Sequence, residues 1–97
     1  MDNEIYLLTG EFVKVNGYQK FSETSRTFVY ADCGDPVRSQ RDLAQKQGYV
    51  AKLKIRMNKL EYGGQRFIEW QGKGYEVKES FGVDDEIIEL TCSDMRV

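Results

Sequence analysis

The sequence predicts a mainly β protein: a small antiparallel β-barrel of about six strands, with one short helix or long loop between the second and third main strands. Three observations point there. Nine glycines stand against one proline, and six Tyr and five Phe against one Trp, a composition that favours strands and tight turns over a helical bundle. Turn signals recur at short intervals, and no strand–helix–strand alternation of the parallel kind is present. The stretch from Ala51 to Met57 alternates apolar and basic residues with a strict period of two. At 97 residues the chain fits a single domain, 1–97, with a modest core.

The first strand is expected at Ile5-Tyr6-Leu7-Leu8, closed by Thr9-Gly10. Asn16-Gly17 is a strong turn signal, and Phe12, Val13, Val15, Tyr18 and Phe21 around it suggest a loose hairpin. Thr24 to Ala31 is rich in β-branched and aromatic residues and predicts a second strand. Asp32 to Pro36 reads as a break. A polar helical excursion follows, capped by Asp35 with Pro36 at its first position, or by Ser39 with Asp42 three residues on, and stopped by Gly48. Only Val37, Leu43 and Ala44 are apolar there, which predicts a surface helix.

Tyr49 to Met57 then predicts a strand with Ala51, Leu53, Ile55 and Met57 on one side and Lys52, Lys54 and Arg56 on the other. Glu61-Tyr62-Gly63-Gly64 marks a turn. Arg66 to Gln71 and Gly74 to Ser80 are expected to form a hairpin around Gly72-Lys73. Asp84-Asp85-Glu86 is a further turn, Ile87 to Cys92 the last strand, and Asp94 to Val97 a frayed tail.

Charge and residue inventory restrict the function classes. The formal net charge is −2 and the pI near 5.2, so the overall field does not attract nucleic acid. There is no histidine, which removes Ser–His and Cys–His nucleophiles and the common zinc sites. No phosphate-binding GxxxxGK[ST] string occurs. The carboxylates Asp84, Asp85 and Glu86 are the densest acid–base candidates, but a solvated turn is the commoner reason for such a cluster. Cys33 and Cys92 are far apart and read as reduced thiols, with a single long-range disulfide as the alternative; Asp32 and Asp35 beside Cys33 disfavour a reactive thiolate. The acidic start, Met1-Asp2-Asn3-Glu4, lacks the basic region of a signal peptide, and the apolar run after it is too short to span a membrane. The expectation is a cytoplasmic protein that is not an enzyme, with no cofactor, no metal and no membrane partner.

The order of these elements resembles the phage head-closure, or head–tail joining, family of connector proteins. The likeness is carried by Ile5-Tyr6-Leu7-Leu8, Ser25 to Ala31, Ser39 to Ala44 with Gly48, and Leu53-Lys54-Ile55. Glu61 to Gly64, Trp70 to Val77 and Ile88-Glu89-Leu90 complete it, and Gln40-Arg41-Asp42 departs from it. The resemblance implies a β-barrel subunit that repeats in the particle as a homo-oligomeric ring between the portal or adaptor protein and the tail terminator or tail-completion protein, while the subunit in isolation can be a monomer. DNA would pass through the channel without sequence-specific binding. The location implied is the head–tail interface of the virion, with the host cytoplasm during assembly.

Within that frame the excursion is expected to project from the barrel as a contact segment, through Pro36, Val37, Arg38, Ser39, Arg41, Asp42, Leu43 and Lys46. Two alternatives stay open. One is a tail-terminator type of connector. The other is an OB-like module for single-stranded nucleic acid, using Lys52, Lys54, Arg56 and Trp70 as a basic, stacking face.

Overall fold

The computed structural model describes residues 1–95. Six strands and one helix are formed among the described residues: β1 (Asn3–Val15), β2 (Tyr18–Gly34), α1 (Arg38–Gln47), β3 (Leu53–Asn58), β4 (Phe67–Trp70), β5 (Lys73–Gly82) and β6 (Ile87–Asp94). A short 3-10 turn, Lys59–Glu61, follows β3. All pairings are antiparallel, and the sheet closes on itself in the order β1-β2-β3-β6-β5-β4.

Alternation drives this closure. Ile5, Leu7, Val29, Ala31, Leu53, Ile55, Met57, Ile68, Tyr75, Leu90 and Cys92 all turn inward and form one buried cluster. Burying the larger of these side chains contributes about 1.5–3 kcal/mol each. Cys33, Tyr62, Trp70, Val77 and Ile88 pack around it, half-buried.

The first two strands run much further than their apolar residues suggest. Asn16 and Gly17 both take positive φ, 50° and 84°, so the hairpin closes through a type I′ turn. From there pairing continues from Val15↔Tyr18 back to Asn3↔Ala31, broken only by a bulge that leaves Thr24 without a direct partner. Thr9-Gly10 therefore does not end the strand. Nor do Asp32 and Cys33 break the second one, because Asp32, Cys33 and Gly34 pair with Arg56, Ile55 and Lys54 of β3.

Only the lower part of this hairpin belongs to the ring. β4 pairs with β1 across Ile5 to Leu8, and β3 pairs with β2 across Ala31 to Gly34. Among the described residues, Gly10 to Val15 and Tyr18 to Glu23 pair only with each other and form a two-stranded arm. At about 3.4 Å per residue the arm extends roughly 20 Å beyond the ring. β2 has no strand partner among the described residues on its other edge from Tyr18 to Tyr30.

Three smaller expectations need correction. The β4–β5 turn is Gln71-Gly72, at φ 52° and 76°, and Lys73 already pairs with Trp70, so the turn sits one residue earlier than Gly72-Lys73. Tyr49 to Lys52 lies outside the strand, which begins at Leu53. Asp94 belongs to β6 and pairs with Tyr75, while residues 96–97 of the expected tail lie outside the described residues.

Helix α1 starts at neither expected cap. Val37 is the N-cap; its backbone N–H donates to Gln40 Oε1 at 2.9 Å, the reciprocal half of a capping box, and its own side chain has no acceptor to complete it. Gly48 ends the helix in the left-handed conformation, at φ 86°, as expected.

Candidate functional site

The excursion does not stand away from the ring. Pro36 and Ala44 are buried, and Gln40 donates from Nε2 to Glu89 Oε1 of β6. Ser39, Gln40 and Leu43 border a cleft of about 370 Å³ whose other wall is Glu79, Ser80 and Phe81 of β5 and Glu89 and Thr91 of β6. The expected contact residues Val37, Arg38, Ser39, Arg41, Asp42, Leu43 and Lys46 are all exposed, whereas Pro36 is not. The segment that reaches outward is the β1–β2 arm.

A tripod of phenylalanines fixes the base of that arm. Phe12 and Phe21 face each other across the hairpin with centroids 5.5 Å apart, and both meet Phe67 of β4, at 5.5 and 4.6 Å. Aromatic contacts of this kind add about 0.5–1.5 kcal/mol each beyond the area they bury. Beyond them Lys14, Val15, Tyr18, Gln19 and Lys20 are exposed, Tyr18 by 77%.

The basic face expected for nucleic acid is not assembled. Lys54 and Arg56 lie on β3, and Trp70 ends β4, which stands diametrically across the ring from β3 in the strand order. Arg56 Nε is held 2.7 Å from Glu89 Oε2, Lys54 is half-buried, and Lys52 is exposed ahead of the strand. Charge and aromatic stacking are thus on opposite sides.

A different aromatic surface appears on β1 and β2. On the outward face of β1 and β2, Tyr6 pairs with Phe28 and Glu4 with Tyr30. The Tyr6 and Phe28 rings meet at 5.7 Å, and Phe28 and Tyr30 at 5.1 Å. With Trp70, Gln71 and Gly72 they border a groove of about 450 Å³, whose charged lining is Asp2, Glu4 and Glu69. Phe28 and Tyr30 are 44% and 53% exposed, unusual for adjacent large rings on a surface.

Beside this groove sits a cation. The Arg26 guanidinium lies 4.8 Å from the Tyr6 ring centroid. It donates twice to Glu23, at 2.8 Å each, and reaches Glu69 Oε2 at 3.3 Å. Hydrogen bonding from Arg26 holds the Glu23 carboxyl below its ordinary range.

Other titratable groups serve structure. Asp84 Oδ1 accepts from the backbone N–H of Glu86 at 2.7 Å and of Ile87 at 2.8 Å, which closes the β5–β6 turn and lowers the Asp84 pKa. Both cysteines are free thiols. Burial pushes Cys33 up to about 11 and Cys92 up to about 12, far from the range of a thiolate nucleophile. Among the described residues no group of three or more Cys, Asp and Glu side chains is placed to hold a metal ion, and no helix is long and apolar enough to cross a membrane.

Comparison of the sequence with protein-family models and with curated proteins finds no match.

Proposed function

We propose that this protein is a structural, non-enzymatic assembly subunit of the phage head-closure or head–tail joining kind. In this reading a six-stranded barrel repeats around an axis as a ring between portal or adaptor and tail, at the head–tail interface of the virion. The observation that carries the reading is the β1–β2 arm. An arm paired only with itself, anchored by Phe12, Phe21 and Phe67 and exposed at its tip, contributes little to the subunit's own core. Its open edges carry unpaired backbone donors and acceptors, the usual means by which one chain adds a strand to another. The likeness of element order described above supplies the assembly class. An acidic conduit also suits passing DNA, because it does not hold the phosphate backbone.

Shortening the arm tests this. Removing Lys14-Val15 and Tyr18-Gln19 takes out two pairs, so the Asn16-Gly17 turn lands on Val13↔Lys20 with the same hydrogen-bonding parity. The expected result is a folded subunit that no longer joins heads to tails, with tailless heads accumulating in particle preparations viewed by electron microscopy. Normal particles made with the shortened arm would overturn the proposal.

A further inference from the structure

We infer that the aromatic groove on β1, β2 and β4 is the docking site for helix α1 of a second copy of this chain. The inference rests on the ring reading above and names the contact that builds the ring.

The groove is chemically selective. Phe28 and Tyr30 are exposed rings, and the charged side chains lining it are all acidic. Glu69 is held by Arg26 and Asp2 lies 3.9 Å from the N-terminal ammonium, so Glu4 is the one without an ion-pair partner among the described residues. A site of that kind favours a cation that is flat enough to stack, which describes a guanidinium better than an ammonium. Arg26 shows the preference within one subunit, lying over Tyr6 while two carboxylates hold it.

Helix α1 supplies the complement. Arg38, Arg41 and Lys46 are exposed, and among the described residues none forms an ion pair. Asp42 is the one acid in the helix. Beside these charges Leu43 and, across the cleft, Phe81 are 46% and 68% exposed, so the basic face also has apolar ground. Glu79 borders the cleft as well, while Glu89 is already engaged by Arg56 and Gln40.

Placement selects the kind of assembly. In the closed strand order β1 stands opposite β6, with β2 and β4 beside the one and β3 and β5 beside the other. The acidic aromatic groove is therefore on one side of the molecule, and α1, bordering β5 and β6, is on the other. Two complementary patches on opposite sides cannot both be satisfied in a closed pair. They join head to tail, which generates a ring when the rotation closes. A standard interface takes about 800 Å² per partner. The total surface is 6421 Å², so two such patches fit without overlap.

Reversing the charges tests the contact. Glu4→Lys and Arg41→Glu alter exposed side chains, and circular dichroism verifies that each variant folds. In sedimentation velocity across a concentration series to about 1 mM, each variant alone is expected to need at least tenfold more protein than the natural chain to associate. An equal mixture recovers association, because every junction between unlike variants joins opposite charges. At one such junction Glu4 meets Arg41 as in the natural chain, and at the next the two introduced side chains meet with their signs exchanged. Association that neither substitution weakens, or that the mixture does not recover, overturns this interface while leaving the ring reading intact. A natural chain that remains monomeric to the top of the series overturns this interface; the ring reading, which allows a monomer outside the particle, stands or falls on the shortened arm.

Discussion

Gly10 sits where β1 leaves the ring, and its lack of a side chain is what lets the arm turn there. A Cβ at this position would come within 2.2 Å of the Ser22 carbonyl oxygen and 2.9 Å of the Phe21 ring. The first clash is with backbone, so no rotamer relieves it. Gly10→Ala is expected to cost about 1–3 kcal/mol, typical of overpacking, read as a lower denaturation midpoint and faster amide exchange from Phe12 to Phe21. A matched control is Gly17→Ala, where nothing lies within 4 Å and the strain comes only from a φ of 84°. Other single residues were readable in part. Phe28 and Tyr30 alternate with the buried Val29 and Ala31, so their outward parity was legible. What the sequence did not reveal is that Tyr6 and Glu69, on other strands, complete the same surface. That requires knowing the registers Tyr6↔Phe28 and Tyr6↔Glu69.

At the level of elements, the β5–β6 turn shows one carboxylate setting a local structure. The backbone N–H donors of Glu86 and Ile87 favour ionised Asp84, so its folded pKa lies below the unfolded value. The stabilisation is complete above about pH 4 and is lost as pH falls through the depressed folded pKa. Asp84→Ala should therefore melt below the natural protein at neutral pH and converge with it in acid, whereas Asp84→Asn keeps an acceptor and recovers most of the difference. This turn was legible because Asp-Asp-Glu between strands has a backbone reason to be there. The arm was only half legible. Asn16-Gly17 announced a hairpin, but Lys14, Gln19, Lys20, Ser22 and Glu23 show no burial pattern, since a ribbon exposed on both faces has no reason for one. The helix was legible as a surface element, but the buried Ala44 and the Gln40–Glu89 hydrogen bond that tie it to the ring were not, because neither is visible as periodicity.

For the molecule as a whole, closure buries Cys92 and leaves Cys33 half-buried. Burial raises Cys33 to about 11 and Cys92 to about 12, so both remain protonated at pH 8, where a free cysteine near 8.5 is partly thiolate. Alkylation of the native protein by iodoacetamide at pH 8 should be slower than that of free cysteine by about a hundredfold or more. Full reactivity should return in denaturant. Because the native pKa values are raised, the unfolded chain loses these protons first, and stability falls as pH rises from about 8.5 toward the native values. Rapid labelling of Cys92 under native conditions would mean that the ring opens without global unfolding. The bare edge of β2 has a consequence of another kind. A long strand with one free side is a template for fibrils as well as for assembly, and what restrains it is the interruption of its apolar residues by Lys20, Glu23 and Arg26. Neutralising those charges would not unfold the subunit; it would shorten the time a concentrated solution stays clear.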